Sequence, residues 1–157
     1  MSEGGTPDDR LAPLEAELAD VARRLETRIE PGPTAAGVVV GMLMLFASLT
    51  LPWTGGTAGW EVLVGAASLG LLPPLFAYTA FGFGVVGSAL TLITRWWGLA
   101  WLCAVGCGFS VVDGMWAIWS RQITVPDGGT GAGFGLVLAV LGAAVLAYSW
   151  VRIALRR

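Results

Sequence analysis

The stretch Leu51-Pro52-Trp53-Thr54-Gly55-Gly56-Thr57-Ala58-Gly59-Trp60-Glu61 decides how the chain is read. It is a Gly/Thr-rich turn with a tryptophan near each end. It follows directly on a charge-free apolar run, Thr34 to Leu51. After it come further apolar runs, separated by single arginines and a second Gly-rich turn at Pro126-Asp127-Gly128-Gly129. The pattern predicts an outer loop from which apolar helices hang.

Working outward, residues 34–51 are expected to form a first span. Eighteen residues at about 1.5 Å each give roughly 27 Å, close to a hydrocarbon core of about 30 Å. Gly37 and Gly41 offer a GxxxG packing face. Downstream, Trp60 to Thr94 is too long for one crossing, and Pro73-Pro74 divides it. Proline favours a first helical turn and is poor inside a helix, so a second span is placed at 74–94. Residues 61–72 then become a short outer helix, interfacial or re-entrant. A single tilted helix kinked at the prolines is the competing reading. Third and fourth spans are placed at 98–119 and 132–151.

Composition agrees with a membrane class. Mean hydropathy is +0.73. Only 13% of residues are charged, against about 25% in an average soluble domain. The first 33 residues hold four arginines against eight acids, and the remainder five against three. The two regions therefore differ in kind. Arginine counting puts both termini in the cytoplasm, with only Arg121 outside. There is no His, and the two cysteines sit in one apolar run, which leaves neither a disulfide framework nor a zinc ligand set. No cofactor is expected, and the basic footprint of a nucleic-acid binder is missing.

In residues 1–33, a cytoplasmic tail, an amphipathic helix is expected over about 9–30. Leu11, Leu14, Leu18, Val21 and Leu25 fall at heptad spacing. They predict either a solvated helix near the membrane or a seam for self-association or a protein partner.

Asp113 is the one acid well inside a span. At that depth a carboxylate costs on the order of 2 to 3 kcal/mol or more, so it should face protein or water. Cys103, Gly106, Ser110, Asp113, Ala117 and Ser120 make a small, polar stripe on one helix face. Leu102, Val105, Phe109, Val112, Trp116 and Trp119 make a bulky one. Asp113, with Ser110 and Tyr78 near it, is either a proton or ion site or an interhelical hydrogen-bond contact. Trp53, Trp60 and Glu61 are candidate outer-loop contacts, with interfacial anchoring and helix capping as the plainer roles. Gly82-Phe83-Gly84-Val85-Val86-Gly87 fits GxGxxG but has no preceding strand, so nucleotide binding is rejected.

Leu51-Pro52-Trp53, Gly59-Trp60-Glu61-Val62-Leu63, Leu72-Pro73-Pro74-Leu75-Phe76-Ala77, Ala117-Ile118-Trp119-Ser120-Arg121-Gln122 and Trp150-Val151-Arg152 together resemble an uncharacterised family of small four-span actinobacterial membrane proteins, mycobacteria included. The resemblance covers about residues 34–155 and implies topology, not mechanism. The expectation is therefore an all-α, integral membrane four-helix bundle of the plasma membrane, with an N-terminal cytoplasmic amphipathic helix. It is read as a non-enzymatic accessory or scaffold subunit whose partners are the lipid bilayer and protein, with nucleic acid excluded. The alternative is a small oligomeric transporter or channel using Asp113.

Overall fold

The computed structural model describes residues 17, 34–67, 70–123 and 131–155. The heptad positions Leu11, Leu14, Leu18, Val21 and Leu25 lie outside the described residues, as does the turn at 126–129. The first long helix, α1, runs Thr34–Thr50. It stops where Pro52 cannot continue it. Strands β1 (Pro52–Thr54) and β2 (Thr57–Ala58) pair antiparallel. Gly55 and Gly56 both have positive φ, which a two-residue primed hairpin turn requires.

The five-residue helix α2 (Gly59–Leu63) follows. Its first turn is tied by Glu61, whose carboxylate accepts a hydrogen bond from the Ala58 N–H at 2.9 Å. The expected helix over 61–72 is shorter and starts earlier than its spacing suggested. Val64 and Gly65 turn the chain, Gly65 with φ 74°. This break also removes the reading in which Trp60 to Thr94 is a single kinked helix.

Helix α3 is Leu72–Phe81, with proline at the start of its first turn. It passes into a π-helical segment, Gly82–Gly87, and resumes as α4 (Ser88–Thr94). Arg95 ends this run in the left-handed conformation, φ 55°, with its N–H donating to Thr91 O at 2.8 Å. Helices α5 (Trp97–Ile123) and α6 (Phe134–Leu155) complete the bundle. The runs Leu72–Thr94, Trp97–Ile123 and Phe134–Leu155 are each long and apolar enough to cross a membrane. Helix α1 has 17 residues and is apolar but shorter.

Packing is close where side chains are small. In α1, Gly37 stands against Ser149, and Gly41 against Leu146 and the Gly142 carbonyl, both in α6. That contact is the GxxxG step read from the sequence. The π segment packs on three neighbours at once. Phe83 lies over Gly106, Gly84 abuts Leu45 and Leu146, and Gly87 abuts Cys103. Its exit is pinned by the Trp150 indole, which donates to Ser88 Oγ at 2.8 Å. The core is aliphatic and aromatic, with Leu45, Trp53, Phe76, Leu136, Leu146 and Trp150 buried. Along α5, burial separates the two stripes. Cys103, Gly106, Ser110, Asp113 and Ala117 are buried, while Leu102, Val105, Phe109, Val112, Trp116 and Trp119 are exposed.

Candidate functional site

The loop end of the bundle is built around Trp53. Its side chain is fully buried and its ring lies 5.6 Å from that of Phe76. The indole Nε1 donates to Ser48 O at 2.8 Å. That carbonyl belongs to the last turn of α1, where Pro52 has no N–H to offer it and the Leu51 N–H reaches it only at 3.3 Å, so the tryptophan supplies a cap. Gly59 passes over the indole with no room for a Cβ, and its N–H donates to Leu51 O at 3.2 Å. The Gly133 N–H donates to Trp53 O at 2.6 Å, and Thr54 forms a bridge with Ala132. Trp53 is therefore an internal anchor, not an outer-loop contact. Trp60, by contrast, is exposed. Glu61 is engaged as a cap.

The polar residues picked from the α5 stripe do not converge as expected. Asp113 is 6% exposed, and its Oδ2 has no hydrogen-bond partner among the described residues. Ser110 does not supply one, because its Oγ donates to Gly106 O of its own helix at 2.9 Å. Tyr78 is 56% exposed, and its hydroxyl lies 4.0 Å from where a Cβ at Gly65 would be. No hydrogen bond joins Tyr78 to Asp113 among the described residues. Among the described residues, two further buried atoms lack partners, Thr54 Oγ1 and Arg121 Nε. Sequence reading passed over both, since Thr54 looked like turn filler and Arg121 like a topology marker.

Cys103 and Cys107 are buried and free. Cys103 Sγ sits 3.3 Å from Thr91 Oγ1, which itself donates to Gly87 O at 2.7 Å. The thiol thus belongs to the packing beside the π segment. Among the described residues, no group of three or more His, Cys, Asp or Glu could hold a metal ion.

The opposite end of the bundle has another character. The Trp97 indole donates to Ala154 O at 3.2 Å, which ties the start of α5 to the end of α6. Around this contact Arg95, Trp96 and Arg152 are exposed. Arg152 Nη1 donates to Tyr148 Oη at 3.0 Å, with its guanidinium carbon 5.7 Å from the Tyr148 ring centre.

Residues 15–157 match the family described as the MiaB C-terminal domain. The chain belongs to that family. It is 43% identical over 153 residues to a tRNA-2-methylthio-N(6)-dimethylallyladenosine synthase of Mycobacterium avium (strain 104). The match covers 93% of this chain and 21% of that relative, so the chain spans about a fifth of the relative's length. No solved structure matches.

Membership of the MiaB C-terminal domain family corrects several expectations. The resemblance to an uncharacterised membrane-protein family gives way to a named one. The readings of a non-enzymatic scaffold, and of a transporter using Asp113, are overturned by similarity to an enzyme. So is the expectation that no enzyme is involved. The partner set of lipid bilayer and protein, with nucleic acid excluded, fails on that exclusion, because the relative is named for a tRNA product. The localisation drawn for a free-standing multi-pass plasma-membrane protein, with both termini cytoplasmic, falls with it. The physical reason is common to all of these. Composition and arginine spacing report what this segment is made of, not the larger protein in which such a segment occurs.

Proposed function

We propose that the chain acts in tRNA 2-methylthiolation, as the C-terminal helical domain of the enzyme activity named for its relative. The observation that carries this reading is 43% identity across 93% of the chain. The reacting groups would be supplied by the part of such an enzyme that this chain does not span. The described residues offer two buried thiols engaged in packing and one buried carboxylate, with no nucleophile and base set side by side. General acid–base or nucleophilic chemistry needs such pairs within hydrogen-bond reach.

The fold class is a separate reading. An all-α, integral membrane four-helix bundle is supported by the three helices of crossing length and by the exposed apolar side of α5. Its inner face of glycine, alanine and serine fits the close packing seen between helices in apolar surroundings.

Removing the gene and measuring 2-methylthio-N6-dimethylallyladenosine in total tRNA by mass spectrometry tests the function. The modified base should fall and return on complementation; an unchanged level would remove the reading. For the fold, alkaline carbonate extraction should leave the chain in the membrane pellet, and release to the supernatant would refute an integral bundle.

A further inference from the structure

We infer that the Arg95–Arg152 end of the bundle binds the phosphate backbone of the RNA substrate. This inference rests on the proposed role in tRNA modification.

Three observations place the contact there. The first is charge. Among the described residues of the bundle, Arg95 and Arg152 lie at this end, joined by the Trp97–Ala154 hydrogen bond. Glu61 lies at the other end, capping α2 beside the hairpin, and Asp113 and Arg121 lie in the half of α5 that leads to that end, so the described charges there are two acids against one arginine. Counted over the described residues, the Arg95–Arg152 end is cationic, and an RNA backbone is the complementary polyanion.

The second observation is the backbone of Arg95. It is the only non-glycine among the described residues with positive φ. A left-handed arginine costs on the order of 1 kcal/mol relative to glycine, which would close the same turn without strain. Packing does not explain the choice, since the side chain is exposed. An exposed cation kept at a position that favours glycine points to a use for the cation. Beside it Trp96 is 62% exposed, and Tyr148 is exposed with Arg152 over its ring. Arginine planes and aromatic faces are the groups on which unpaired bases stack.

The third is connectivity. Gly37 packs on Ser149, which puts the start of α1 beside Arg152. In a longer enzyme with this domain at its C-terminus, the preceding part enters through α1. A tRNA held by that part is then brought to the arginine end and not to the hairpin end. Residues 1–33 carry eight acids that could compete with RNA for arginines, so the full chain is the right test object.

The test titrates the purified full chain with an unmodified tRNA transcript at several salt concentrations. It compares wild type, the R95Q/R152Q double variant, and Q122E, which changes charge at the opposite, exposed end of α5. Loss of two phosphate contacts should lower the slope of log affinity against log salt by about 1.5 and weaken binding about tenfold. Q122E should bind as wild type. Equal loss in Q122E would show a bulk charge effect and overturn the site, as would an unchanged slope in R95Q/R152Q. Loss of arginine-dependent binding to phosphatidylglycerol vesicles, with tRNA binding unaltered, would assign the arginines to lipid headgroups and also overturn it. Unchanged elution and helical content in the double variant separate binding from misfolding. If gene removal lowers tRNA methylthiolation but R95Q/R152Q restores it fully and binds tRNA normally, this inference fails while the functional reading stands. If gene removal leaves methylthiolation unchanged, the functional reading itself fails.

Discussion

The two ends of the bundle are built on opposite principles. The hairpin end turns its tryptophan inward. Trp53 is buried, hydrogen-bonded, covered by Gly59 and tied to Gly133. The arginine end turns Trp96 outward and ties the start of α5 to the end of α6 through the Trp97 indole hydrogen bond. The same residue type thus serves as core at one end and as surface at the other. The neighbours decide which: glycines that admit a ring on one side, arginines that solvate a turn on the other. One end spends its sequence on closure, and the other presents its arginines and Trp96 at the surface.

The sharpest way to break this contrast is Trp53→Ala. It removes a fully buried ring and the donor to Ser48 O, and should cost about 3 to 5 kcal/mol in thermal or denaturant unfolding. Trp96→Ala at the other end should stay within about 0.5 kcal/mol. Equal losses would mean the two ends are not different in kind. Gly106→Leu comes next. It would drive Phe83 off its seat beside the π segment and should cost about 1 to 3 kcal/mol or more, read in the same unfolding measurement.

Trp97→Phe removes the indole hydrogen bond to Ala154 O across the arginine end and should cost about 1 kcal/mol. A loss as large as that of Trp53→Ala would show this end to be as tightly organised as the other. The smallest effect has the opposite sign. Arg95→Gly should raise stability by up to about 1 kcal/mol by relieving the left-handed backbone, while weakening tRNA binding. A variant that is less stable would show the arginine to be a structural residue.

Much of this was legible in the residues, for reasons that differ by place. The two stripes of α5 follow from 3.6-residue periodicity, which acts within one helix and needs no neighbour. The GxxxG step of α1 is likewise local. The depth of Trp53 was not legible, because the ring is covered by Gly59 and by Gly135, the latter 82 positions away in sequence. Proline placed the start of α3 within two residues, but the shortness of α2 depends on the turn at Gly65. The pairing imagined for Asp113, Ser110 and Tyr78 failed for another reason. Ser110 satisfied itself on its own helix, as buried serines in helices do. The family was the least legible feature, since the composition and periodicity of apolar helices do not distinguish the larger proteins in which such helices occur.

The π segment has a consequence for how this helix can change. An α-helix advances about 100° per residue, so one additional residue in a turn rotates everything after it by that amount. Upstream, Phe76 and Ala80 face the core; downstream, Ser88 and Thr91 do. The widened turn is what lets both sets point inward. Deleting a single residue between Gly82 and Gly87 would swing Ser88 roughly a quarter-turn or more from Trp150 and carry Thr91 off Cys103. The segment thus works as a phase joint between two half-helices, each with its own inward face, and the length of the run matters there more than the identity of any residue in it.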